Sequence, residues 1–168
     1  MAQLKVSHIS KAFDDQEILK DVTLELRDNE LVSLLGVSGG GKTTLFNVIS
    51  GLLKPEEGQV FLDGKDITGQ PGNVSYMLQK DLLLPYRTIE DNVALPLIIK
   101  GEKKKEARKK ARSYFPEFGL EGTEKKYPSQ LSGGMRQRAA LLRTYMFSDK
   151  IALLDEPFSA LDTLTKSA

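Results

Sequence analysis

The sequence predicts an α/β domain with a parallel core, an N-terminal antiparallel β-subdomain and an inserted helical subdomain. Three observations support this prediction. The opening third contains alternating strands, an apolar run leads into a glycine-rich loop and a helix, and a later apolar run ends in two carboxylates. The length of 168 residues suits one compact domain of this class and is short for two.

Short strands are predicted over most of the chain before residue 80. Polar and apolar residues alternate there, and Asp63-Gly64 is a hairpin signal between two apolar runs. The predicted strands cover residues 4–8, 22–26, 60–62, 65–67 and 74–78, with a turn at residues 27–30.

The segment in the middle of these strands has a different pattern. Residues 31–35 form a mostly apolar run that ends at Gly36, which predicts a buried parallel strand. Helical spacing follows over residues 43–50, and Gly51 is a plausible end for that helix.

The pattern changes after Lys80, where Pro85, Pro96 and Gly101 punctuate the chain. Helices are predicted over residues 102–118 and 133–146, and a short buried strand over residues 151–154. The first of these helices carries a basic run that could indicate nucleic-acid binding. Acidic residues interleave with it, no aromatic stacking platform accompanies it, and the net charge is only +1. A solvated helix face, with no nucleic-acid partner, is therefore the favoured interpretation.

The composition is that of a soluble globular protein, with 40% hydrophobic and 28% charged residues. Cysteine is absent, which excludes disulfides, thiolate metal sites and a cysteine nucleophile, and fits a reducing cytosol. The N-terminus lacks the apolar core of a signal peptide, and the longest apolar stretches are too short to cross a bilayer. If the protein works at a membrane, we expect another subunit to provide the spanning part.

Residues 36–43 fit the pattern G-x-x-x-x-G-K-[ST] between an apolar strand and a helix. Glycines let successive backbone N–H groups point at phosphate oxygens, aided by the N-terminus of the helix. Lys42 would face the β- and γ-phosphates, and the Thr43 hydroxyl would ligate Mg²⁺. A glycine-rich turn with an incidental lysine is disfavoured because strand, loop and helix occur together. The predicted nucleotide-binding residues of this phosphate loop are Gly36, Val37, Ser38, Gly39, Gly40, Gly41, Lys42, Thr43 and Thr44.

Two carboxylates, Asp155 and Glu156, follow the predicted strand at residues 151–154. Ligands of open α/β sheets bind at the carboxyl edge, so Asp155 would arrive beside the phosphate loop and the Mg²⁺ shell. Glu156 would then polarise an attacking water as general base. Acidic residues often merely end strands, so this signal is weak alone and strong when paired with the phosphate loop.

The segment Leu131-Ser132-Gly133-Gly134-Met135 opens the second predicted helix. Such a start can present a hydroxyl, backbone amides and the helix dipole to an anion. Alone, it is more simply an N-cap followed by flexible glycines. Together with the other two motifs, it predicts an anion contact.

Together these motifs resemble those of the ABC ATPase family along the whole chain. Residues 131–135 are similar to its LSGGQ signature, Gln79 to its Q-loop glutamine and residues 159–162 to its D-loop. Phe13 lies where the family places an aromatic residue under the adenine ring. The resemblance implies a P-loop NTPase fold with a RecA-like parallel core. Residues 1–79 and 150–168 would form the nucleotide-binding core, and about 80–149 the helical subdomain with the signature.

The resemblance also implies an ATPase that works as a pair. Two such subunits would pair head to tail around two ATP molecules, and hydrolysis would separate them. The signature residues Ser132, Gly133 and Gly134 would contact the γ-phosphate held by the second ATPase subunit. Gln79 would approach the attacking water and the Mg²⁺ ion, which Thr43 and Asp155 would also ligate, while its loop senses a membrane subunit.

Residues 83–93 resemble the same segment of importers for nitrate, sulfonate, taurine and pyrimidine thiamine precursors. Met135 in the signature and Pro157-Phe158 before the D-loop are common in that group. The resemblance implies a peripheral subunit on the cytoplasmic face of the membrane, bound to transmembrane permease subunits. An extracytoplasmic substrate-binding protein would be an indirect partner.

Other functions compete with import. A soluble ABC ATPase of the DNA-repair or translation kind usually has long coiled-coil insertions or tandem ATPase halves, and neither occurs here. A P-loop kinase or GTPase-like switch would have no use for the signature segment. Efflux is disfavoured by the sequence around the Q-loop.

The sequence departs from the family near Ala168. The family has a switch histidine on a strand beyond the D-loop, and that strand would lie between those of residues 31–35 and 151–154. The only histidine here is His8, for which the early strand predicts a surface or packing role. We expect a fragment of a longer subunit that is poorly stable and nearly inactive alone, because unpaired strand groups are costly.

Overall fold

A computed structural model describes residues 2–37, 39–148 and 150–156. The chain divides after Val74 into two compact units, each with its own secondary structure. The strands are β1 (Ala2–Phe13), β2 (Gln16–Arg27), β3 (Glu57–Leu62), β4 (Lys65–Asp66), β5 (Ser75–Met77) and β6 (Ala152–Leu154). The helices are α1 (Lys42–Ile49), α2 (Ile89–Ile99), α3 (Lys104–Ser113) and α4 (Gly133–Phe147), with a 3-10 turn at Pro128–Gln130.

The first unit contains an antiparallel sheet with strand order β2-β1-β3-β4. The predicted alternation is visible in β1, where Leu4, Val6 and Ile9 are buried. The turn from β3 to β4 places Asp63 and Gly64 at φ 50° and 79°, the left-handed pair that an Asp-Gly hairpin requires. The predicted antiparallel sheet is confirmed.

A bulge interrupts β1 between Val6 and Ile9. His8 lies in it with φ 54°, and its Nδ1 is 2.6 Å from the Asp21 carboxylate on β2. Both side chains are largely exposed to solvent. His8 therefore occupies a surface position of the sheet.

The helix α1 has the predicted amphipathic pattern, since Leu45, Val48 and Ile49 are buried. It ends before Gly51, which has φ 77°. A Cβ atom at residue 51 would lie only 2.5 Å from the carbonyl carbon of Gln70. Glycine is required there both by the left-handed backbone and by the close approach of a second chain segment.

The prediction of a buried parallel strand at residues 31–35 is wrong for this structure. The segment forms no regular element, and the side chains of Leu31 and Leu35 are 89% and 94% exposed. A strand persists only where a neighbour accepts and donates its backbone hydrogen bonds. Within residues 2–37, 39–148 and 150–156, no strand pairs with this segment.

The second unit has a hydrophobic core between α2, α3 and α4. Small side chains let the helices approach closely, and larger ones fill the space around them. Helix α2 was not predicted, because Pro96 looks like an interruption. Its N-cap is Thr88, and the helix continues through Pro96 although a proline cannot donate a helical hydrogen bond. Fully buried core residues include Ile89, Val93, Ala94, Ala107, Ala111, Phe115, Leu120, Ala139 and Leu142.

Helix α3 is shorter than predicted and gives way to turns after Ser113. Some of its basic residues form ion pairs with acidic residues in the first turn of α2. Arg108 donates to Asp91 at 2.7 Å, and Arg112 donates to the buried Glu90 at 2.5 Å. Burial opposes ionisation of Glu90, but the hydrogen bonds from Arg112 and Lys125 outweigh it and lower the pKa of Glu90.

Strands β5 and β6 form a parallel pair in the second unit, with Ser75 opposite Ala152 and Met77 opposite Leu154. The pairing continues into the backbone of Asp155, whose N–H donates to Met77 O at 3.0 Å. The predicted strands at residues 74–78 and 151–154 are thus confirmed, as is their parallel arrangement. Among the described residues, no helix combines the length and the apolar character needed to cross a bilayer.

Candidate active site

The phosphate loop in the first unit is shaped largely by bonds within itself. Lys42 donates from Nζ to Gly36 O at 2.7 Å and to Val37 O at 2.9 Å. Gly40 N donates to Val37 O at 3.0 Å, which closes a tight turn. The ammonium group therefore lies inside the curve of the loop, on the side where the predicted phosphate oxygens would be. Ser38 lies outside the described residues.

Gly41 joins this loop to α1 in the left-handed conformation, with φ 84°. A Cβ atom there would lie 3.0 Å from Leu19 Cδ2 and 3.1 Å from Ile18 O, so the helix start packs directly on β2. Glycine has no side chain that could cap the helix. The N–H groups of the first turn, near Thr43 and Thr44, thus point out of the helix end, where an anion is favourable.

Phe13 ends β1 and is 46% exposed, so a ligand can reach it. Lys11 lies over the ring, with Nζ 5.3 Å from the ring centroid. Glu56 holds this arrangement: its carboxylate accepts from Lys11 Nζ at 2.5 Å and from Ala12 N at 3.1 Å. Sequence reasoning missed Lys11 and Glu56, because they lie 45 positions apart and no local pattern pairs them.

The second unit brings the predicted general base and the predicted Q-loop glutamine together. Gln79 Nε2 donates to Glu156 Oε2 at 2.7 Å, across 77 positions of sequence. Glu156 has φ 48°, a left-handed backbone uncommon for a glutamate, and its side chain is exposed. Both residues follow the carboxyl ends of the parallel strands β5 and β6, which is why they meet.

Asp155 directly precedes Glu156 in the sequence and is 6% exposed. Burial raises the pKa of the neighbouring Tyr76 to about 12, and the carboxylate of Asp155 adds to that shift. The Tyr76 hydroxyl is therefore neutral at neutral pH, and it lies beside the carboxyl group of Asp155. Sequence reasoning did not identify Tyr76, although its place on β5 makes it a neighbour of β6.

Ser132 is the N-cap of α4, and its Oγ accepts from Met135 N at 3.3 Å. Gly133 and Gly134 form the first turn of the helix, and the Ser132 side chain is exposed. The predicted start of the signature helix is therefore found. An exposed hydroxyl and first-turn amides are available there to an anion from outside the chain.

The oxygen donors predicted for Mg²⁺ suit that ion chemically. Asp155 supplies a carboxylate and Gln79 an amide oxygen in the second unit, and Thr43 supplies a hydroxyl in the first. Mg²⁺ commonly takes one or two protein oxygens and completes its shell with water and substrate phosphates. No cluster of three or more His, Cys, Asp or Glu side chains that could hold a metal ion occurs in the part of the chain described.

The structure leaves some predicted features undescribed. The D-loop prediction at residues 159–162 and the Pro157-Phe158 pair lie outside the described residues. The phosphate loop with Phe13 belongs to the first unit, and Gln79, Asp155, Glu156 and the signature to the second. The roles of these site residues stay predictions.

Known proteins resemble this chain in sequence and in fold. The sequence profile of the ABC transporter family matches residues 19–159. The chain is 44% identical to the uncharacterized ABC transporter ATP-binding protein YtlC of Bacillus subtilis, over 99% of this chain and 65% of that protein. It is 45% identical to the formylaminopyrimidine import ATP-binding protein ThiZ of Halalkalibacterium halodurans, over 98% and 64%. For the taurine import ATP-binding protein TauB of Escherichia coli the identity is 40%, over 97% and 64%.

Solved structures agree with the predicted fold. The dimeric structure of MJ0796, a bacterial ABC transporter cassette, superposes with a TM-score of 0.82 at 33% identity, over 96% of this chain and 77% of that one. A second dimeric MJ0796 structure, in a post-hydrolysis state with ADP and Pi, gives 0.81. The chain thus spans slightly less than two thirds of the length of YtlC, ThiZ and TauB and about three quarters of the MJ0796 cassette.

Proposed function

Because the chain belongs to the ABC transporter family, we propose that it is the core of an ATP-binding and ATP-hydrolysing subunit that powers an importer for a small solute. The contact between Gln79 and Glu156 carries the hydrolytic part of this proposal. It places a carboxylate and an amide 2.7 Å apart at the end of two parallel strands, where a water could be oriented and deprotonated.

ATP binding rests on the first unit. Lys42 would leave the carbonyls of Gly36 and Val37 and turn its ammonium group to the β- and γ-phosphates. The first-turn amides of α1 would bind phosphate oxygens through the loop curve that Gly41 permits. Phe13 would stack on the adenine through the ring face opposite Lys11.

Hydrolysis would be carried by residues of the second unit. Glu156 would accept the proton of the attacking water, and Gln79 would orient the carboxylate and the water. Asp155, with Thr43, would hold Mg²⁺, which supplies charge neutralisation at the β- and γ-phosphates when bound. Both MJ0796 cassette structures are dimers, one of them with bound ADP and Pi, which supports a nucleotide reaction in a paired state.

The exposed Ser132 cap supports a second ATPase subunit as partner. The Ser132 side chain is exposed, and Gly133 and Gly134 lie in the first turn of α4, so this helix start could bind a nucleotide held by another subunit in a head-to-tail pair. The named functions of ThiZ and TauB support import of a formylaminopyrimidine, taurine or similar small solute. Transmembrane permease subunits at the cytoplasmic face, and a substrate-binding protein beyond them, would complete the importer.

The hydrolytic role is tested with Glu156→Gln in the full-length protein. Loss of the general base is expected to lower kcat by about 10²- to 10⁴-fold while ATP still binds and the paired state accumulates. Steady-state phosphate release and size-exclusion chromatography with ATP measure the two effects. Glu121→Gln, in an exposed turn, is the control. Wild-type turnover in Glu156→Gln would remove Glu156 from the general-base role.

The importer role is tested by affinity purification from native membranes. Co-purification of integral membrane proteins is expected, and ATP-independent binding to DNA or ribosomes would instead favour a soluble ABC ATPase. We also predict that residues 1–168 alone hydrolyse ATP poorly. Robust steady-state turnover by that chain, abolished by Glu156→Gln, would show this prediction to be wrong.

A further inference from the structure

The backbone after Gln79 is bound to α4 by a half-buried arginine. Arg143 donates from Nη1 to Leu82 O at 2.8 Å and from Nη2 to Asp81 O at 2.7 Å. One planar guanidinium group therefore donates hydrogen bonds to two consecutive carbonyl oxygens, a geometry that lysine cannot reproduce. Burial lowers the pKa of Arg143, although the charge of Asp81 opposes that shift, so the group is partly desolvated where it binds the loop.

A second arginine joins the same loop to the first turn of α4. Arg136 Nε donates to the Asp81 carboxylate at 3.1 Å, and its Nη1 donates to Leu131 O at 3.1 Å. The other carboxylate oxygen of Asp81 accepts from Leu83 N at 3.1 Å. The Asp81 side chain thus stabilises the turn that it belongs to and links that turn to the start of the signature helix.

The segment that Arg143 binds has an unfavourable backbone conformation. Leu82 has φ 46°, and its side chain is 52% exposed, so burial of its own side chain does not account for that conformation. The carbonyl of Leu82 is one of the two that Arg143 binds. A left-handed leucine persists only where its surroundings fix it, and the hydrogen bond from Arg143 to the Leu82 carbonyl contributes to that here.

Only Lys80 separates Gln79 from Asp81, whose carbonyl oxygen Arg143 binds. We propose that Arg143, assisted by Arg136, is a positioning residue that fixes Gln79 against Glu156 by fastening its loop to the signature helix. This proposal rests on the proposed function, in which Gln79 and Glu156 serve hydrolysis.

The test compares Arg143→Gln and Arg136→Gln with Arg138→Gln in the full-length protein. Arg138 lies on the same helix, is exposed, and makes one long hydrogen bond of 3.4 Å to Gly119 O. Misplacement of Gln79 is expected to lower kcat by about 10- to 100-fold in Arg143→Gln, with the KM for ATP changed less than about threefold. Arg136→Gln is expected to lose less, and Arg138→Gln to keep kcat. Equal kcat in all three variants and the wild type would overturn the proposal.

A double-mutant cycle with Gln79→Ala separates positioning from general stability. If Arg143 acts through Gln79, Arg143→Gln lowers kcat by less than about twofold once Gln79 is removed. The same loss in both backgrounds would show that Arg143 only supports the fold. Arg143→Lys, which keeps the charge and loses the paired grip, is expected to behave like Arg143→Gln; full kcat in Arg143→Lys would contradict the proposal.

Two further measurements keep the outcome interpretable. Thermal unfolding of each variant checks the fold, and if Arg143→Gln does not fold, Arg143→Lys carries the same cycle because it keeps the charge and loses the paired hydrogen bonds to Asp81 O and Leu82 O. Wild-type turnover and its loss in Glu156→Gln test the proposed function itself. If the effects of Arg143→Gln and Gln79→Ala on kcat are additive while the wild type hydrolyses ATP, the positioning role is contradicted and the proposed function is not.

Discussion

Two loops of the candidate active site are stabilised in different ways. The phosphate loop at residues 36–43 is shaped by its own glycines and by Lys42, which binds carbonyls five and six positions earlier. The apolar segment at residues 31–35, immediately before it, is exposed and forms no strand. The loop at residues 79–88 is shaped instead by side chains from α2 and α4.

The difference separates the shape of a loop from its support. A phosphate loop can keep its curve when the segment that enters it is unpaired, because the described hydrogen bonds that define the curve lie within a few residues. The loop after Gln79 has a local bond from Leu83 N to Asp81, but its conformation also depends on Asn92, Arg136 and Arg143 in α2 and α4. Substitutions should therefore affect ligand binding in the first loop, and stability or the placement of Gln79 in the second.

Among the substitutions that test the support of the two loops, the largest stability effect is expected for Asn92→Ala. Asn92 is fully buried, accepts from Leu84 N at 2.7 Å, and donates to the carbonyls of Leu84, Arg87 and Thr88. Its loss leaves buried backbone groups unpaired, at a cost of about 2–4 kcal/mol in the free energy of unfolding. Urea unfolding of Asn92→Ala beside Asn73→Ala, whose amide makes one surface hydrogen bond, measures the difference. Equal losses would show that this loop is not supported as described.

The second prediction concerns ligand affinity in the phosphate loop. Lys42→Ala removes the ammonium group that would meet the phosphates and is expected to weaken ATP binding by about 10- to 100-fold. Its effect on unfolding should be small, because its two carbonyl partners lie in an exposed loop. Equilibrium titration with a fluorescent ATP analogue measures affinity, with Lys20→Ala as the exposed-lysine control. Unchanged affinity would contradict the phosphate-loop assignment.

Two matched helix caps give a smaller and sharper test. Thr88 caps α2 and Ser132 caps α4, each accepting from the third following N–H at 3.3 Å. Alanine at either position is expected to cost about 1 kcal/mol of stability. Only Ser132→Ala should also lower the ATP-dependent formation of the paired state, as measured by light scattering. The same effect on pairing from Thr88→Ala would argue that Ser132 acts as a cap alone.

The smallest effect is expected before the phosphate loop. Leu35 is 94% exposed, so Leu35→Ala should change the free energy of unfolding by less than about 0.5 kcal/mol. Leu120→Ala, at a fully buried position, should cost about 2–5 kcal/mol in the same urea titration. A loss of 2 kcal/mol or more for Leu35→Ala would show that residues 31–35 are packed in solution, as their sequence pattern predicts.

Features encoded in neighbouring residues were predicted well. The Asp63-Gly64 hairpin, the start of α1 after the phosphate loop and the Ser132 cap all follow from side-chain or backbone preferences within a few positions. The sequence does not predict helix α2, because a proline such as Pro96 usually interrupts a helix. Burial of Ile89, Val93 and Leu97 in the hydrophobic core stabilises the helix in spite of it.

The sequence by itself determined the chemistry of this protein: a phosphate loop, two carboxylates after an apolar strand and a serine-capped helix, each encoded in a few consecutive residues. Tertiary structure decided which of these residues meet. Gln79 contacts Glu156 across 77 positions, and Arg143 reaches Asp81 across 62, because parallel strands and packed helices bring distant segments together. It also decided that residues 31–35, apolar enough for a buried strand, form none, since a strand needs a partner for its backbone hydrogen bonds as well as a suitable sequence.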